Sequence, residues 1–247
     1  LGVTLFERLG RSLSLTEGGL ELLEHVRAMG DAAGRISLTA SGQSQSVEGH
    51  VRITATDVFS VYLLPDALER LRDEAPGITV DVVASNDVRD LRRREADIAI
   101  RHARPEHPDL IAKLLRETTV HLYASVSYLD RHGRPSQPGD LSEAAFIGFD
   151  QTDRLATRLN EWGLALSGEN FKLTSESGLM AWEMVKRGLG VGVMAKEVAD
   201  RTPGIEPVLP ELGPMTIPIW LVTHRELHTS RRIRLVFDVL AESLKRG

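Results

Sequence analysis

The chain has 247 residues, 42% of them hydrophobic and 26% charged, with a formal net charge of -5, and at such a length roughly 75% of the unfolded surface can be buried. That balance excludes a disordered or fibrous chain, and the acidity excludes a phosphate-binding surface spread over the whole molecule, though not a small basic tip. The lack of cysteine removes disulfide frameworks, thiolate metal sites and cysteine nucleophiles.

The amino end, LGVTLFERLGRSLSLT, carries charges where an export signal needs an apolar stretch, and no apolar run approaches the roughly 20 residues that span a bilayer, so a cytoplasmic protein without a membrane partner is expected. The chain opens at Leu1 without an initiator Met, which suggests a fragment of something longer. Leu5 to Arg8 and Leu13 to Leu15 are short apolar-bearing segments around Leu9-Gly10-Arg11-Ser12, a pattern that predicts a small hairpin. Thr16 then suits a helix N-cap, with Leu15 and Leu20 placed as a hydrophobic staple. Leu20, Leu23, Val26, Met29 or Ala33, and Ile36 keep helical spacing to about Leu38. Thr39 to Glu48, rich in Ser, Gln and Gly, has linker composition.

From Gly49 the pattern changes. HVRITAT reads as a strand, VYLLPDALERLRDEAP as a helix, ITVDVVAS as a strand, DVRDLRRREA as a helix and DIAIRH as a strand. Later come a strand at AAFIGF, a helix around DRLATRLNEWGLAL, a strand at FKLTS, a helix from about Gly178 to Arg187 and a strand at VGVMA. IPIWLVTH is a last strand and TSRRIRLVFDVLAESLKR a closing helix. Such alternation predicts an α/β fold with a parallel or mixed sheet, here in two lobes. Ligands of such folds bind at the carboxyl ends of strands, and clefts between lobes are favoured.

LGVTLFERLGRSLSLTEGG resembles the wing and the start of the linker helix of LysR-type transcriptional regulators. The resemblance continues through LLPDALERLRDEAPGI, RREADIAIRHARPEHPDL, LYASVSYLDRHGRPSQPGDL, VKRGLGVGVM and IPIWLVTHREL, which look like successive blocks of that family's effector-binding domain. It implies a two-lobed domain like a type 2 periplasmic binding protein, preceded by a winged-helix remnant and a long linker helix. The implied division is a wing at 1–15, a linker helix and hinge at 16–48, and an effector domain at 49–247, with lobe I at about 49–121 and 223–247 and lobe II at about 122–222. The implied partners are a small-molecule effector, operator DNA for the intact protein, and further copies of the chain as a homodimer or homotetramer. The family's recognition helix lies upstream of LGVTLFER, so the element that reads base edges is absent from this chain.

The candidate sites follow. Arg8 and Arg11 flank the hairpin turn, where a wing meets DNA phosphates; solvated arginines are the plain alternative. Leu20, Leu23 and Val26 form an apolar stripe suited to a dimer seam or to packing against the missing head. For the effector cleft, strand ends single out Thr56 and Asp57, Asn86 and Asp87, and Arg101 in one lobe, with Gly148, Phe149 and Ser175 in the other. Short polar side chains beside helix amino ends suggest an anion cradle, hence an effector carrying a carboxylate with Arg101 as counter-charge. Thr56 and Ser175 equally suit helix capping, and Arg101 a salt bridge.

The remaining motifs carry less. Arg92, Arg93 and Arg94 are neutralised by nearby acids, and Gly188, Gly190 and Gly192 follow a helix rather than a strand, the reverse of a nucleotide loop, with Gly188 placed as a C-cap. His102 and His107, like His224 and His228, lack the acid of a zinc-protease motif, and no nucleophile elbow occurs, so no metal, cofactor or catalytic group is expected. A solute-binding protein of the same fold is the alternative, but it would begin with an export signal and run directly into the first lobe.

Overall fold

In a computed structural model, residues 3–9, 12–16, 18–23, 25–26, 29, 47–86, 96–149 and 152–245 are described. The predicted helix at 87–95 and most of the 39–48 linker lie outside them, as do Arg11 and Asp87.

The amino end is a hairpin of β1 (Phe6–Leu9) and β2 (Ser12–Leu15), with Arg8 opposite Leu13. Residues 18–23 that follow are helical. Thr16 locks the two together: its Oγ1 accepts from Gly19 N (3.0 Å) and donates to Thr4 O (2.6 Å), while its own N–H reaches Leu5 O at 3.1 Å. One N-cap hydroxyl thus fixes the entry angle of the helix.

Next come β3 (Gly49–Ala55), α1 (Asp57–Tyr62), α2 (Leu64–Glu74), β4 (Ile78–Ala84) and β5 (Ile98–Arg101). The single helix expected over VYLLPDALERLRDEAP is two: Leu63 leaves helical geometry (φ -120, ψ -33), and Pro65, which lacks an N–H, sits in the first turn of α2. β3 pairs parallel with both β4 and β5.

The chain then enters β6 (Leu110–Ser125), sixteen residues long, followed by α3 (Val126–His132), β7 (Ile147–Phe149) and α4 (Thr152–Glu161). β8 (Leu173–Ser175), α5 (Gly178–Lys186), β9 (Gly192–Ala195), α6 (Lys196–Asp200) and β10 (Ile205–Val208) complete the second half. β11 (Met215–His224) returns to the first half, and α7 (Arg231–Ser243) closes it. Gly188, just past α5, has φ +73 and its N–H meets Val185 O at 2.9 Å, so a left-handed glycine ends that helix.

One seven-stranded sheet, in the order β10-β6-β11-β5-β3-β4 with β9 also on β6, runs through both halves. β6 and β11 are its antiparallel spine, paired from Leu110↔His224 to Val120↔Met215. A bulge interrupts them: Ile219 faces Arg116 and Trp220 faces Leu114, leaving Leu115 as the extra residue, and such an insertion bends and twists a strand.

On each side of the spine the apolar faces close their own cores. One joins Ile53, Leu64, Leu71, Ile100, Ile219 and Leu240. Beyond the spine, Phe146, Leu159 and Val191 anchor a second cluster, and Trp182, Val185 and Val198 a third, against which Val58 and Tyr62 of the first half are packed. Two lobes, joined by two crossing strands, are the result.

Candidate effector site

A cavity of about 260 Å³ lies between the lobes. From the first lobe Thr56, Asp57, Asn86 and His102 line it; the crossing strands add Thr118, Val120, Met215 and Ile217. The second lobe contributes Ile147, Phe149, Leu155, Trp182 and Val185. Four polar residues therefore come from the first lobe and Thr118 from the spine, while apolar side chains make up most of the rest, the usual composition of a small-molecule site.

The polar wall is ordered by hydrogen bonds between lobes. Asp57 opens α1, and its Oδ1 accepts from Val58 N at 2.7 Å. Its Oδ2 accepts from Ser177 Oγ (2.7 Å) and Leu179 N (3.2 Å) of the opposite lobe. Asn86 accepts from Asp57 N at 3.2 Å and donates to Glu176 O at 3.0 Å. The approach is close because Gly178 has no side chain: a Cβ there would stand 2.8 Å from Val58 Cγ2 and 3.2 Å from Asp57 Oδ1.

Thr56 is the N-cap residue of α1, yet its side chain makes no capping bond, and it lines the cavity. Ser175 is outside the lining; its Oγ accepts from Ser177 N at 3.1 Å, and Ser177 caps α5 by accepting from Met180 N at 3.2 Å. Gly148 is also outside it, packed where a Cβ would meet Thr152 and Thr174, whereas its neighbour Phe149 faces in. Arg101 is buried, with Nη2 on Thr54 Oγ1 and Nη1 on Ile100 O, both at 2.9 Å, and is not brought to the cavity.

His102, the residue after Arg101, is. It is an exposed residue by surface area and lines the cavity. The surrounding protein pushes its pKa below the usual histidine value of 6.5 because the imidazolium is poorly solvated there, and the Pro218 carbonyl only partly offsets this. A neutral imidazole both donates and accepts.

At the other end of the cavity Thr118 Oγ1 donates to Glu197 at 2.5 Å, and Glu197 also pairs with Arg116. Burial by itself would raise the Glu197 pKa, but the hydrogen bonds from Thr118 and Arg116 outweigh it and hold the carboxylate below its ordinary value. Arg116 Nε meets Leu244 O, just past α7, at 2.9 Å. One charged group thereby joins the spine to both lobes.

Sequence reasoning missed Thr118, Val120, Met215, Ile217 and Trp182. Thr118, Val120 and Ile217 lie within the crossing strands, Met215 is at the amino rather than the carboxyl end of β11, and Trp182 lies inside a helix. Among the described residues no group of three or more His, Asp and Glu is placed to hold a metal, and no helix is long and apolar enough to cross a membrane. Outside the cavity, Arg8 is exposed on the hairpin; Leu20 and Val26 are each 54% exposed and Leu23 is half-buried, which leaves an apolar helix face uncovered in a single chain.

Known proteins match over most of this length. The HTH-type transcriptional regulator CrgA of Neisseria meningitidis serogroup C (strain 8013) is 24% identical over 253 residues, covering 99% of this chain and 83% of that protein. BbuR of Bordetella bronchiseptica (strain ATCC BAA-588 / NCTC 13252 / RB50), also named an HTH-type transcriptional regulator, is 27% identical over 255 residues, covering 99% and 78%. Among solved structures, full-length AphB, a Vibrio cholerae virulence activator of the LTTR family, superimposes with a TM-score of 0.74 at 18% identity over 97% of this chain and 84% of that one. CrgA from Neisseria meningitidis does so with 0.71 at 24%, over 98% and 84%. The LysR substrate binding domain model matches residues 44–245. The chain belongs to the LysR family of transcriptional regulators, and its two lobes are that family's substrate binding domain.

Proposed function

We propose that the cavity between the lobes is where this regulator binds a small organic effector, and that occupancy alters how the lobes pack. A ligand shifts a conformational equilibrium only by the difference in its affinity for the two states. A coupling of about 1–3 kcal/mol changes DNA affinity roughly 5- to 150-fold. The observation that carries the reading is the cavity of about 260 Å³ whose walls come from both lobes and from the strands that connect them.

The rest of the proposal concerns the intact protein in the cytoplasm. The wing at 1–15 places Arg8 and Arg11 against operator phosphates. The helix that starts at Thr16 pairs copies through Leu20, Leu23 and Val26 into a homodimer or a pair of dimers, and 16–48 transmits changes from the lobes at 49–121 with 223–247 and at 122–222. Exposure of Leu20 and Val26 supports the pairing, because an amphipathic helix needs cover for its apolar stripe.

The test is to fill the cavity. Ala181 lines it, and Ala181→Phe puts a ring into the space without altering the polar wall. A library of small organic molecules screened by thermal shift and calorimetry should give ligands that stabilise the natural chain and are lost in Ala181→Phe. Ligands that bind both chains equally would move the site elsewhere.

A further inference from the structure

We infer that the effector is an uncharged, mainly apolar molecule, and that Asp57 is the residue that turns carboxylates away. The inference rests on the cavity being the effector site. Helix amino ends facing a cleft ordinarily invite an anion, since their N–H groups lack partners within the helix. Here the place is taken. The Asp57 carboxylate sits between the amino ends of α1 and α5, accepting from Val58 N on its own helix and from Ser177 Oγ and Leu179 N across the cleft. It is 9% exposed and lines the cavity. A ligand carboxylate reaching for the same N–H groups would meet a like charge in a poorly hydrated space.

The rest of the lining agrees. Among the described residues it carries neither lysine nor arginine, and its other polar members, Thr56, Asn86, His102 and Thr118, are hydrogen-bonding groups that do not need a charged partner. The protein packed around His102 lowers its pKa by desolvation, so its neutral form is favoured and offers an anion little. Phe149, Trp182 and Ile217 supply apolar surface to the same cavity, Ile217 directly beside Thr118 on the neighbouring strand. A volume of about 260 Å³ compares with the roughly 150 Å³ that houses benzene in an engineered apolar cavity. The space suits one ring with a short substituent bearing a neutral polar group.

Matched probes separate charge from shape. Benzoate against benzamide, and phenylacetate against phenylacetamide, would be titrated calorimetrically at neutral pH into the natural chain, Asp57→Asn and Asp57→Ser, with Ala181→Phe as the site control. Both amides are expected to bind about tenfold or more tightly than their acids, as for a like-charge penalty of about one pKa unit. In a folded Asp57 variant the gap should close because the acid gains. Acids that bind the natural chain as tightly as amides, with binding lost in Ala181→Phe, would overturn the inference and leave the cavity as the site. A gap that persists in both folded Asp57 variants would overturn the role of Asp57. Failure of both amides to bind the natural chain would overturn the inference, while the reading it rests on is decided separately by whether library ligands are lost in Ala181→Phe.

Discussion

The two ends of the interlobe cavity are built differently. At the spine, Arg116 of β6, next to the β-bulge, and Glu197 of α6 form a half-buried pair. At the rim, the lobes meet through separate side chains, Asp57 on Ser177 and Leu179 and Asn86 on Glu176 O, and outside the cavity lining Arg201 adds a further tie to Tyr62 O and Asp66. Opening the spine would break sheet ladder and expose core; opening the rim exchanges a few hydrogen bonds for water, each worth only about 0.5–1.5 kcal/mol net. The difference makes one edge a hinge and the other a mouth.

The hinge can be broken most directly at Ile219, which is fully buried at the bulge. Ile219→Ala should cost about 3 kcal/mol, read from a lowered urea midpoint at constant slope. A loss under about 1 kcal/mol would mean that the spine is not a packed hinge.

Glu197 gives a smaller effect with a pH signature. Its pKa is held below the ordinary 4.5, so the native state favours the carboxylate. That stabilisation is complete above 4.5 and disappears as pH falls through the lower native value. Glu197→Gln, which removes the charge, should cost about 1–2 kcal/mol at neutral pH. Its melting temperature should also fall less steeply than that of the natural chain in the acid range. Parallel acid profiles would show that Glu197 is not the group responsible.

The smallest effect belongs to the tie between the lobes outside the cavity lining. Arg201→Ala removes an ion pair whose side chains are 47% and 67% exposed, and should change stability by about 0.5 kcal/mol or less. Amide exchange at the first turn of α5 should nevertheless quicken, because one tie between the lobes is gone. A stability loss as large as that of Ile219→Ala would erase the distinction between hinge and mouth.

Much of this fold is legible in particular segments. HVRITA and ITVDVVA alternate as strands and became β3 and β4, and Thr16 caps its helix as its position before the apolar stripe requires. β6 was not legible as a strand, since the bulge at Leu115 shifts the phase of its alternation partway along, so no single period fits its sixteen residues. In the site, Thr56, Asn86 and Phe149 follow from the rule that ligands meet strand ends. The choice of His102 over Arg101 does not: all four residues of β5 are buried, so its burial pattern carries no alternation to tell which neighbour faces the cavity.

By itself the sequence determined the family, the alternation of strand and helix, and the hairpin feeding a capped helix, because these depend on local spacing and on residues close in the chain. The net charge of -5 found its meaning there too, as belonging mostly to a sensing domain rather than to a DNA-reading surface. Only the tertiary structure decided what the cleft offers a ligand. Asp57 and Ser177 are 120 residues apart, and their hydrogen bond fills an anion cradle that each segment alone would leave open. Whether a polar group is free to bind or already spent depends on what the folded chain brings against it.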